Sequence, residues 1–114
     1  MTSDELLPLT PAVFHILLAL SEGQKHGYAI MQEVTAISAG QIKMGPGTLY
    51  GSIKRMLKLG LIDESDEKID PALDDERRRY YRLTSAGERV LKAEAYRLSQ
   101  LMRVIESKHL LGDA

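Results

Sequence analysis

With 114 residues, 44% of them hydrophobic and 27% charged, and a formal net charge of −1, the chain has room for one compact domain and an extra element, and its composition fits neither disorder nor a membrane bundle. The absence of cysteine excludes disulfides, thiolate metal sites and a thiol nucleophile, and with one Phe and no Trp the core must be built from Leu, Ile, Val, Ala and Met, which favours helices. Asp4 and Glu5 stand where a secretory signal would be basic, and the most apolar run, residues 12–20, is well short of the ~20 residues that cross a bilayer, so the expectation is a cytoplasmic protein with no membrane partner.

Thr10-Pro11 reads as a helix start, with Thr as N-cap and Pro at the first helical position, where its missing N–H costs nothing. This first helix is apolar on most sides through Val13, Phe14, Ile16, Leu17, Leu18 and Leu20, and Gly23 stops it. A second pattern from about Gly27, with Ile30, Met31, Val34 and Ile37, ends near Gly40. After a turn at Gly45-Pro46-Gly47, a third helix carries the stripe Leu49, Ile53, Met56 and Leu57 before Gly60 closes it. Residues 61–63 and 79–83 read as two short strands around a polar loop that contains Pro71.

Ser85 and Glu88 fit a capping box that opens a final helix reaching about Leu110, some ~39 Å long at ~1.5 Å per residue. Along it Leu91, Ala95, Leu98, Met102, Ile105 and His109 recur at coiled-coil spacing. This seam either lies on the chain's own core or pairs with a second subunit; the length exceeds the width of a small winged-helix core, which favours a two-fold dimer. The reading is mainly α with a small β part (α+β): a winged helix-turn-helix domain over residues 1–84 and a dimerisation helix over residues 85–114.

Charge is sorted along the chain. Residues 41–62 hold four bases, Lys43, Lys54, Arg55 and Lys58, and no acid; residues 63–76 hold eight acids; residues 77–82 hold four bases. Such segments present local fields that the whole-chain charge hides. On a helical wheel, the third helix turns Gly47, Thr48, Gly51, Lys54, Arg55 and Lys58 away from its apolar stripe. Gly51 costs ~1 kcal/mol relative to Ala inside a helix, and close approach of another surface such as a DNA groove would explain it. The plain alternative is a solvated basic face. Likewise Arg77, Arg78, Arg79 and Arg82 either reach phosphates beside the groove or neutralise Asp74, Asp75 and Glu76. Tyr80 and Tyr81 alternate in a strand, one toward the core. His15 and His26 lack partners at metal spacing and read as structural, and no phosphate loop, nucleophile elbow or paired His and acid suggests an enzyme.

The strings HGYAIMQEV, GPGTLYGSIKRMLKLGLI and DERRRYYRLTSAGERVL, carrying His26-Gly27-Tyr28, Gly47-Thr48-Leu49-Tyr50, Gly60-Leu61-Ile62 and Tyr80-Tyr81-Arg82-Leu83-Thr84 in order, closely resemble the PadR-like family of transcriptional regulators over residues 10–110. The resemblance implies a winged-helix DNA-binding domain and one long dimerisation helix, with Thr48, Tyr50 and the basic residues of the third helix at the DNA and Tyr28 on a phosphate. Taken with the charge pattern, the expected DNA-facing set is Tyr28, Lys43, Gly47, Thr48, Tyr50, Gly51, Lys54, Arg55, Lys58, Arg77, Arg78 and Arg79. The expected dimer contacts are Leu91, Ala95, Leu98, Met102 and Ile105. The function implied is sequence-specific repression from a palindromic operator on double-stranded DNA by a homodimer without a cofactor, with room for a small-molecule effector between the wing domain and the dimer helices. The competing class is a winged-helix module that binds protein instead of DNA, and steep salt dependence separates the two.

Overall fold

Each of the three expected N-terminal helices forms, and each begins on a residue suited to that place. The computed structural model describes residues 3–65 and 79–112, in the order α1 (Ser3–Leu6), α2 (Pro11–Ala19), β1 (Lys25–His26), α3 (Gly27–Ile37), α4 (Pro46–Lys58), β2 (Ile62–Ser65), β3 (Tyr80–Leu83) and α5 (Ser85–Ser107). Thr10 Oγ1 accepts the N–H of Val13 at 3.2 Å and caps α2, with Pro11 at its first position. His26 caps α3 through Nδ1, which accepts the N–H of Ala29 at 3.1 Å. At α4 the cap is Gly45, so Pro46 and Gly47 belong to the helix itself and not to the preceding turn.

The end of α4 is a Schellman motif. Leu61 N–H donates to Met56 O at 2.9 Å, Gly60 N–H donates to Leu57 O at 3.1 Å, and Gly60 takes φ +75°, a left-handed value that glycine adopts without strain. Chain direction reverses there into the sheet, whose strands are ordered β1-β3-β2 and all antiparallel. Ile62 pairs with Leu83 and Asp63 with Arg82, while Lys25 and His26 pair with Tyr81 and Tyr80 on the other edge of β3. The third strand, β1, is two residues long and was not expected. The expected strands shift slightly: β2 runs to Ser65 and β3 starts at Tyr80. The acidic loop around Pro71 lies outside the described residues.

Ile16, Leu17, Ile30, Val34, Leu49, Ile53, Met56, Ile62 and Tyr81 form one core between α2, α3, α4 and the sheet. Val90 and Leu91 belong to it, so the first half of α5 packs on the same core as the wing domain. The cap of α5 corrects the capping box expected at Ser85 and Glu88. Thr84 is the N-cap, its Oγ1 accepting the N–H of Gly87 at 3.0 Å, which places Gly87 where a capping box would need Glu or Gln. The helix ends at Ser107, not Leu110, which makes it about 34 Å long at ~1.5 Å per residue. The short helix α1, also unexpected, lies against α5. Just beyond it Leu9 N–H donates to Glu94 Oε2 at 2.7 Å, and Arg97 Nε donates to Glu94 Oε1. Glu94 is 2% exposed, and its carboxyl titrates below the ordinary range, first because Arg97 hydrogen-bonds the anion and also because Leu9 N–H does, against the opposing effect of burial. Among the described residues no helix is long and apolar enough to cross a membrane.

Candidate nucleic-acid interface

The amphipathic pattern of α4 folds as its sequence dictates. Leu49, Ile53 and Met56 are buried, and Gly47, Thr48, Gly51, Lys54, Arg55 and Lys58 are all exposed on the opposite side. Lys43 is exposed in the turn that leads into the helix. Three cations within five residues of one outward face, with no acid on the helix, concentrate positive potential there. No side chain caps the start of α4 at Gly45.

A Cβ built on Gly47 or Gly51 meets nothing within 4 Å, so neither glycine is required by the interior of the protein. Both keep the outward face of α4 flat. Tyr28, expected at a phosphate, is 59% exposed at the start of α3. Arg79, exposed just before β3, forms an ion pair with Glu64 of the neighbouring strand, Nη1 to Oε1 at 3.2 Å. Arg82 is exposed on β3 opposite Asp63. Arg77 and Arg78, and the acids Asp74, Asp75 and Glu76, lie outside the described residues.

Tyr50 differs from its neighbours on α4. It is half-buried and packs against the core, its hydroxyl aimed at Gly27 at the start of α3. The phenol of the buried Tyr81 is pushed above its ordinary value, chiefly by burial, then by the Glu64 carboxylate and Tyr50, with Arg79 opposing. His26 packs edge-on against Tyr80, ring centroids 5.5 Å apart. Among the described residues no group of His, Asp and Glu is arranged to hold a metal ion.

The expected dimer contacts divide into two sets. Leu91 is buried in the chain's own core, and Ala95 is exposed at the point where α5 leaves that core. Beyond Glu94, the face that carries Gly87, Val90 and Leu91 continues as Leu98, Leu101, Met102 and Ile105. On it Leu98 is 37% and Met102 43% exposed, Leu101 and the adjacent Val104 are exposed too, and Ile105 is half-buried. The heptad spacing missed Leu101, which falls one position off it but on the same stripe. A shallow groove of about 610 Å³ lies along α3, lined by Lys25, Ala29, Gln32, Glu33, Ala36 and Ile37, away from the expected effector position between the wing domain and α5.

Comparison with known proteins agrees with this architecture. The sequence profile of the transcriptional regulator PadR-like family matches residues 16–93. The transcriptional regulator Rv3488 of Mycobacterium tuberculosis is 32% identical over 91 residues, which cover 80% of this chain and 78% of that protein. An uncharacterised 37.1 kDa protein in transposon TN4556 of Streptomyces fradiae is 36% identical over 93 residues, or 81% of this chain but only 24% of that longer protein. Among solved structures, a transcriptional regulator from Clostridium thermocellum superposes with a TM-score of 0.67 at 26% identity, over 94% of this chain and 96% of that one. A PadR family transcription regulator from Clostridium difficile shares the fold at a TM-score of 0.70 and 23% identity, over 90% of this chain and all of that one.

Proposed function

Because the chain belongs to the PadR-like family of transcriptional regulators, whose members are winged-helix DNA-binding proteins and not enzymes, we propose that it acts in the cytoplasm as a homodimeric repressor on a palindromic operator. In this reading α4 enters the major groove with Thr48 and Gly51 foremost, Lys54, Arg55 and Lys58 flank it on phosphates, and Lys43 and Tyr28 hold the backbone on either side. Arg77, Arg78 and Arg79 extend the contact from the wing. The observation that supports this best is the outward face of α4, which combines exposed cations with two glycines that no internal packing requires. Groove contact explains both features at once, whereas a solvated face explains only the cations.

The apolar stripe of Leu98, Leu101, Met102 and Ile105, which continues the buried face of α5 past the end of the chain's own core, supports a two-fold dimer. A second copy of α5 covers it and sets the two α4 helices roughly 34 Å apart, one turn of DNA. A small molecule that alters the angle between the two α5 helices would release the DNA.

A gel shift with duplex DNA flanking the protein's own gene, run over a salt series, tests the reading. Affinity should fall steeply with salt, and Lys54→Ala with Arg55→Ala should lower both the affinity and the slope, by roughly one unit of log–log slope for each phosphate left unneutralised. Binding that ignores salt, or an unchanged double mutant, removes α4 from the DNA.

A further inference from the structure

A side chain on residue 27 would begin inside Tyr50. Its Cβ would lie 2.5 Å from the Tyr50 hydroxyl, 3.1 Å from Cζ and 3.3 Å from Cε1. Gly27 is buried at the first turn of α3, directly after the residue whose imidazole caps that helix and whose backbone pairs with Tyr80 in the sheet. The chain is thus held at residue 26 immediately before it, so relief of the contact would have to come from the ring. Gly27 does not lie in the left-handed region, so no backbone conformation demands glycine there. What demands it is Tyr50. The same ring packs against the core cluster to which Tyr81 of β3 belongs, so one side chain of α4 spans from the start of α3 to that core. A tyrosine ring has only two side-chain torsions and acts as a stiff spacer between the elements it touches.

We propose that Tyr50 is a positioning residue of the DNA-binding surface: seated on the bare backbone of Gly27, it fixes how far α4 stands from α3 and so where Lys54, Arg55 and Lys58 are held, without touching DNA itself. Those three cations lie four to eight residues further along the same rigid helix, so any tilt at Tyr50 is carried to them. This rests on the DNA-binding reading of α4. It assigns Tyr50 a different part from Thr48 two residues before it, and it makes Gly27 and Tyr50 a matched pair.

The test is a rescue series read on a labelled duplex of about 30 base pairs from the flank of the protein's own gene, with thermal melting alongside. Alanine is the better helix former, so Gly27→Ala should raise stability if the space is free. With the seat occupied it should instead lower the melting temperature and weaken DNA binding about tenfold. Tyr50→Phe keeps the ring and should bind within about twofold of the wild type with the same salt slope. Combining Gly27→Ala with Tyr50→Phe removes the nearest atom and should restore binding in part; combining it with Tyr50→Leu removes the ring and should bring affinity to within about threefold of Tyr50→Leu alone. If Gly27→Ala does not fold, recovery of the fold in the Tyr50→Leu combination carries the same information.

A Gly27→Ala protein that is more stable and binds normally overturns the proposal, as does a Tyr50→Phe protein with tenfold weaker binding and a smaller salt slope, since the hydroxyl would then be a DNA contact. Additive losses with no rescue overturn it as well. If the unaltered protein leaves the duplex unbound at low salt, the DNA-binding reading has failed on its own account. The seat is then judged by the amide NMR shifts of Lys54, Arg55 and Lys58: displacement by Gly27→Ala and return with Tyr50→Leu uphold it, and no displacement refutes it.

Discussion

The carbonyl oxygen of Leu61 occupies the space that a Cβ on Gly87 would need. The first turn of α5 therefore crosses directly over the backbone that joins α4 to the wing. Leu61 O also accepts the N–H of Thr84 at 3.1 Å, so the oxygen is held in place and has no room to retreat. Gly87→Ala should destabilise the protein by about 3 kcal/mol, the cost typical of forcing an atom into a packed site. Urea unfolding measures it, and a loss below about 0.5 kcal/mol would mean that the crossing has slack.

Glu94 ties the segment after α1 to the middle of α5, and its linkage to pH has a definite sign. The folded-state pKa lies below the unfolded value of 4.5, so the stabilisation is fully present above that value and is lost as pH falls below it toward the folded pKa. Melting temperatures should be flat above about pH 6 and drop below about pH 4.5, and Glu94→Gln should flatten that acid limb. Glu94→Ala leaves Leu9 N–H without its acceptor and should cost about 2 kcal/mol at neutral pH. An acid limb that is the same in Glu94→Gln would assign it to other carboxylates.

How far the sequence could be read follows from how local each signal is. Thr10-Pro11, the stripe of Leu49, Ile53 and Met56, and Gly60 all act within one helix or its ends, and each did what its chemistry requires. The strand at Lys25 and His26 was not legible, because two residues carry no alternation and only pairing with Tyr80 and Tyr81, far along the chain, makes them a strand. Glu94 was hidden for a similar reason. Its letter reads as a solvated position, and its burial depends on Leu9 N–H, 85 residues away. The cap of α5 was misplaced by one residue because Thr84 and Ser85 are both good caps, and the bond from Thr84 N–H to Leu61 O, with Gly87 packed against that oxygen, favours Thr84. On the candidate interface, the outward cations and glycines of α4 were legible from the wheel, but the inward turn of Tyr50 was not, since the wheel places it at the edge between the two faces.

Gly51 offers a trade-off that separates folding from binding. With open space around its Cβ position, Gly51→Ala should stabilise α4 by about 1 kcal/mol. In the proposed complex, the added methyl group meets the groove wall and should weaken DNA binding. Melting and gel shift on one preparation give both numbers; a rise in both stability and affinity would place Gly51 away from the DNA.

Leu98 and Met102 are partly exposed on α5, outside the core cluster. Leu98→Asp with Met102→Asp should therefore leave the fold of the single chain nearly unchanged while burying two unpaired charges in a dimer. Light scattering should give half the mass of the unaltered protein, with DNA affinity reduced accordingly. A dimeric mass for the folded double mutant would rule this stripe out as the interface.

Thr84 does three things at once. Its N–H holds Leu61, its hydroxyl donates to Gly60 O at 2.6 Å, and its Oγ1 accepts from Gly87 to start α5. The pivot of the long helix is thus fastened to the very turn that ends α4, with no intervening linker. Val90, Leu91 and Glu94 then hold α5 on the core, so the free arm runs from Glu94 to Met102, about 12 Å at ~1.5 Å per residue, and a bend of about 10° moves Met102 by about 2 Å. In the proposed dimer, a displacement where the two α5 helices meet would pass through the shared core and Thr84 to each α4, and so change the pitch at which the pair of helices meets a straight rod of DNA.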